Sequence, residues 1–122
     1  MEAEALHKKA LAIREKALGP DHPYVAESLV ELASTCEKQN RLAEALPLVE
    51  RAREIFGKGN VAPIWHAQAA FVLARVRWAL GKDRARASSL AQEALELFKA
   101  SGPGAEKRRR EVERWLAEHR RD

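Results

Sequence analysis

The chain has little of what builds a catalytic or membrane protein. It has one cysteine, Cys36, so no disulfide can form within it. That fits a reducing compartment, and the chain is expected in the cytoplasm. No apolar run approaches the ~18 residues that a membrane span needs. The opening Met-Glu-Ala-Glu-Ala-Leu-His has neither the basic start nor the apolar stretch of a secretory signal. Gly-x-x-x-x-Gly-Lys-Ser/Thr, His-Glu-x-x-His and Gly-x-Ser-x-Gly are all missing, so no phosphate loop, zinc helix or nucleophile elbow is expected. The four histidines have no Cys or His neighbour at ligand spacing, which makes a weak case for a metal. No catalytic residue, cofactor or metal is assigned, and the chain is not expected to be an enzyme.

Charge of one sign is also lacking. Lys and Arg total 22 against 18 Asp and Glu, for a net charge of +4. The pI near 9.5 permits contact with nucleic acid but does not argue strongly for it. Alanine and leucine dominate over β-branched residues, which favours helix. A hydrophobic fraction of 46% over 122 residues is enough for one folded domain over 1–122.

What is present is repetition. Ala3, Ala45 and Ala87 lie 42 residues apart. Leu6, Leu48 and Leu90 share that spacing, as do Ala10, Ala52 and Ala94, and then Ile13, Ile55 and Leu97. Each segment reads Ala-x-x-Leu-x-x-x-Ala-x-x-Ile/Leu, which falls on one face of a helix. A period of about 20–50 residues marks stacked units, none of which can bury its apolar face alone.

Helices are predicted over about 2–18, 22–39, 42–56, 63–80, 84–100 and 105–120. Gly19-Pro20, Asn40, Gly57-Lys58-Gly59-Asn60, Gly81 and Ser101-Gly102-Pro103-Gly104 separate them. Asp21 is the expected N-cap of the second helix, with Pro23 in its first turn. Pro47 is expected near the start of the third, where its missing N–H costs little. The phase of Cys36 matches Leu29, Leu32 and Ala33, so a buried thiol is expected rather than a nucleophile. The last helix stripes Val112, Trp115, Leu116 and His119 and is polar elsewhere, as a terminal cap would be.

The run Ala-Leu-x-Ile-x-x-Lys-x-Leu-Gly-Pro-Asp-His-Pro-x-Val-Ala at 10–26, continued by Ser28-Leu29, Leu32-Ala33, Asn40-Arg41 and Glu44-Ala45, resembles the tetratricopeptide repeat in its 42-residue kinesin-light-chain-like form. The resemblance spans about 2–101. It implies an all-α, antiparallel helix-pair solenoid, a right-handed superhelix closed by a C-terminal capping helix. Its parts would be an orphan B helix at about 2–18, repeats at about 22–57 and 63–101, and the cap at about 105–120. In the second repeat, Leu32 to Leu73 is 41 residues but Ala45 to Ala87 is 42, so the turn between its helices must absorb one residue. With Glu111-Val112-Glu113-x-Trp115-Leu116-x-x-His119, this second unit is similar to C-terminal repeats behind some bacterial serine/threonine protein kinases, especially in myxobacteria. The leading B helix, with Leu6, Ala10 and Ile13 on one stripe, suggests either a piece of a longer array or a self-association surface.

The resemblance implies non-catalytic recognition of a protein, as a peptide or helix held in a concave groove, within a regulatory or scaffolding part of a larger bacterial protein. By phase, the first A helix offers Glu27, Val30, Glu31, Ser34, Glu37 and Lys38. The second offers Gln68, Phe71, Val72, Arg75 and Trp78. Phe71 and Trp78 are more readily read as inter-helix core. Related repeats often carry Asn where Glu31 stands, so the usual backbone clamp is not expected. A ligand with a basic residue and an apolar anchor would suit the residues present. The tail Lys107-Arg108-Arg109-Arg110 with Arg114, Arg120 and Arg121 is the alternative, phosphate-binding surface. Pairs Lys107–Glu111, Arg109–Glu113 and Arg114–Glu118 are expected to neutralise it.

Overall fold

The computed structural model describes residues 2–119, with side chains from Glu4 onward. Arg120 and Arg121 of the basic tail lie outside the described residues. Six α-helices follow one another: α1 (Glu2–Leu18), α2 (Pro23–Lys38), α3 (Leu42–Lys58), α4 (Pro63–Leu80), α5 (Arg84–Ala100) and α6 (Glu106–Glu118). A short 3-10 helix, Pro103–Ala105, precedes α6. There is no strand among the described residues, and the chain is an all-α helical repeat.

The chain divides into two compact units, Met1–Val61 and Ala62–Asp122. In unit 1, α2 packs against both α1 and α3. In unit 2, α5 packs against both α4 and α6. The repeat positions supply the cores: Ala45 and Ala52 in α3 and Ala87, Leu90 and Ala94 in α5 are fully buried. Alanine at these positions lets helix backbones approach closely.

The helix ends follow local chemistry. Gly19, Gly81 and Gly102 all take positive φ, a conformation that glycine reaches without a Cβ clash. The N-cap of α2 is His22 rather than Asp21. Pro23 occupies the first helical turn, so position 22 must be extended, and its Nδ1 accepts the Tyr24 N–H at 3.1 Å. Helix α3 runs on through Gly57 and Lys58, beyond the expected end, with Ile55 and Phe56 buried in its last turns. Pro47 lies inside α3 beyond the first turn, so it removes an N–H that the helix ladder would use. Helix α6 begins at Glu106, the 3-10 helix taking the residues before it.

The extra residue of the second repeat sits in the α4–α5 turn. Both A helices end in the same motif. Arg41 N–H reaches the Cys36 carbonyl (2.8 Å) and Asn40 N–H that of Glu37 (2.9 Å). In unit 2, Lys82 N–H reaches Arg77 (3.0 Å) and Gly81 N–H reaches Trp78 (3.0 Å). The left-handed residues Asn40 and Gly81 are thus 41 apart, whereas the N-caps Arg41 and Asp83 are 42 apart. Lys82 and Asp83 stand where unit 1 has Arg41 alone. The inserted turn gives Asp83 a left-handed conformation (φ 52°), and its carboxylate caps the Arg86 N–H at 3.1 Å.

Candidate partner-binding faces

On α2, Glu27, Glu31, Ser34 and Lys38 follow each other at spacings of four, three and four, which aligns them on one face. The opposite face, with Val25, Leu29, Leu32, Ala33 and Cys36, is buried. Glu31 and Lys38 are exposed, and Ser34 and Glu37 are half-buried. Val30, at the margin, is buried and therefore packs rather than presents. Glu27 is tied to α1: its Oε1 accepts from Arg14 Nη1 at 3.1 Å, and the same nitrogen donates to Ser28 Oγ at 2.9 Å.

On α4, Gln68, Phe71, Val72, Arg75 and Trp78 also share a face, but α6 reaches it. Trp115 meets Phe71 edge-on, with ring centroids 6.0 Å apart, and Trp78 edge-on at 5.6 Å. His119 stacks on Trp115 at 4.3 Å and 16°. Arg75 lies 4.4 Å over the Phe71 ring and Arg84 lies 4.9 Å over Trp78. Phe71 and Val72 are buried, while Gln68 and Arg75 are half-buried. Trp65, Trp78 and Trp115 are all half-buried. The residues expected by phase therefore gather as six on α2 in unit 1 and five on α4 in unit 2. The stripe of α6 was legible in the sequence, but not its target.

A second cluster was missed. Glu4, near the start of α1, is buried and contacts Arg41 at the start of α3. Arg41 also pairs with Glu44, Nε to Oε1 at 3.0 Å, and donates to Gln39 Oε1 at 3.0 Å. Lys8 adds an ion pair to Glu4 at 3.1 Å. Hydrogen bonds from Arg41 and then Lys8 hold the Glu4 carboxyl far below its ordinary range, at about 2. Cys36 is buried beside them, and burial pushes its thiol pKa up. Glu4, Cys36 and Glu44 bring three donor atoms within 4.8 Å of one another. The Arg41 guanidinium pairs with both of these carboxylates, and a cation so placed opposes a metal ion. Their separation in sequence, 4 to 41, gave no signal.

The basic tail is only partly neutralised. Arg109–Glu113 forms at 3.3 Å. The expected pairs Lys107–Glu111 and Arg114–Glu118 do not form; instead Arg110 pairs with Glu106. Either spacing of four residues brings charges together on a helix, and the sequence alone does not choose between them.

The fold and these faces define a class: an all-α helical repeat that presents helix surfaces. More particularly, residues 1–58, within unit 1, match the tetratricopeptide repeat family. Repeats of this family generally mediate protein–protein interaction. No curated protein matches the chain. No helix among the described residues is long and apolar enough to cross a membrane.

Proposed function

We propose that the chain is a non-catalytic protein-recognition module, a regulatory or scaffolding segment, whose partner-binding face is the outward stripe of α2. One observation carries this reading: α2 buries its whole apolar face, yet leaves Glu31 and Lys38 exposed, with Ser34 between them. The acids Glu31 and Glu37 suit a peptide or helix bearing Lys or Arg. On α4, Gln68 and Arg75 remain as contacts, while Phe71 and Trp78 anchor α6. A buried Cys36 with no cysteine to pair with is in keeping with a cytoplasmic location.

The test is a nuclease-treated pull-down from the source organism's lysate, comparing the chain with its Glu31→Lys and Arg75→Glu variants. A discrete partner retained by the first and lost by Glu31→Lys, with unchanged circular dichroism, supports the α2 face. Loss with Arg75→Glu alone moves the site to α4. Equal capture by all three rejects both faces.

A further inference from the structure

Helix α1 has an outward stripe that nothing in its own unit covers. Leu6 is 63% exposed and Ile13 59%. Ala10 and Ala17 lie between and beside them, also exposed. These positions are in phase with α3 and α5, where the same pattern is largely covered and only Leu48 and Leu97 stay half-buried. Ala52 and Ile55 in α3 and Leu90 and Ala94 in α5 are buried, in units where α2 packs on α3 and α4 packs on α5. The α1 stripe is thus built for a helix: large residues at Leu6 and Ile13, small ones at Ala10 and Ala17 for close approach.

Charge selects the kind of helix. Lys9 and Lys16 run along one edge of the stripe and are exposed. Of the acids on α1 whose side chains are described, Glu4 and Glu15 are drawn inward, to Arg41 and to Arg51 (2.9 Å). The inner edge of α1 already shows the matching chemistry, since Arg14 receives the acidic helix α2 through Glu27. An antiparallel pairing of two copies through this stripe would bring lysines against lysines, which costs affinity. We propose that the outward face of α1 docks an amphipathic helix of a partner protein, with an apolar stripe and carboxylates along its margin. This surface is distinct from the α2 face and would be read by a partner of opposite charge.

The two A-type helices of this chain supply matched probes. A peptide of residues 22–39 is acidic, with Glu27, Glu31 and Glu37 against Lys38, while one of residues 62–81 has Arg75 and Arg77 and no acid. Fluorescence anisotropy of each labelled peptide is titrated with the full chain. The acidic peptide should bind at least about tenfold more tightly than the basic one. Ile13→Glu should weaken it about tenfold or more. The double variant Lys9→Glu/Lys16→Glu should reverse the preference between the peptides. All three side chains are exposed, so circular dichroism should be unchanged. Equal binding of both peptides, or acidic-peptide binding that ignores Ile13→Glu because the peptide has displaced α2, overturns the proposal. So does absence of binding with a concentration-dependent mass that Ile13→Glu abolishes, which would make a second copy the occupant. Glu31→Lys in the full chain should leave this affinity unchanged, separating failure here from failure of the α2 face.

Discussion

Each unit packs a third helix against a helix pair, but the two hold that helix by different forces. In unit 1 the additional helix comes before the A/B pair, and polar links tie it down: Arg14 to Glu27, Glu4 to Arg41 and Glu15 to Arg51. In unit 2 the additional helix follows the pair, and an aromatic cluster of Phe71, Trp78, Trp115 and His119 ties it down. The polar attachment leaves the outward apolar residues of α1 free, because α1 needs none of them to dock. The aromatic attachment takes up the A-helix face that unit 1 leaves open. The outward face of α2 is therefore open, whereas that of α4 is largely occupied by α6, with Gln68 and Arg75 half-buried on it.

Trp115→Ala should separate the units most strongly. Removing the ring that joins α6 to Phe71 and Trp78 is expected to destabilise unit 2 by about 3 kcal/mol. All three tryptophans belong to unit 2, so urea denaturation followed through Trp65 and Trp78 reads that unit. A loss below about 1 kcal/mol would show that α6 is held by its contact with α5 instead.

Acid should act on unit 1 in the opposite way. The Glu4 carboxyl is depressed from 4.5 to about 2 in the folded chain, so the unfolded chain takes up its proton first as pH falls. The stabilisation from Glu4 is complete above pH 4.5 and is lost between there and about 2. Protection factors of α1 amides, corrected for the intrinsic pH dependence of exchange, should fall across that window ahead of those of α6 amides. Glu4→Gln should raise α1 exchange at neutral pH and flatten its acid dependence. Equal acid responses of α1 and α6 in the parent chain would dissolve the contrast.

The smallest effects lie in the turns. Asp83→Ala should cost unit 2 about 1 kcal/mol through loss of the cap on Arg86. Asn40→Gly should stabilise unit 1 by about 0.5 kcal/mol, since Asn40 holds φ 60° where Gly81 serves in unit 2. Thermal melts of the two variants would test whether the inserted residue improved the second turn.

Local rules made much of the fold legible. Gly19, Asn40 and Gly81 marked helix ends because each takes a left-handed conformation, and the 41-against-42 mismatch located the insertion in the α4–α5 turn. Alanines at the repeat spacing marked the core in α3 and α5, though not at Ala10 of α1. The phase of α2 placed Glu27, Glu31, Ser34 and Lys38 on one face. What the sequence did not disclose was non-local. Leu6 and Leu90 occupy the same repeat position, yet one is 63% exposed and the other fully buried. Phase fixes the direction of a side chain, not whether a helix lies over it. The destination of Trp115 on α4 and the reach of Arg41 back to Glu4 depend on packing across many residues. A capping role for His22 in the Asp-His-Pro turn was legible, but the N-cap position itself was assigned to Asp21, the commoner cap, whereas Pro23 dictated position 22.

The burial of Cys36 turns this chain into its own recorder of breathing. The thiol is closed off in unit 1 beside Glu4 and Arg41, its ionisation is suppressed, and there is no other sulfhydryl to confuse the signal. A thiol reagent can react only during excursions that lift the cover, so its rate at saturating reagent counts those excursions directly. A helix seated on the outward stripe of α1 would slow that clock, even though it never touches the sulfur.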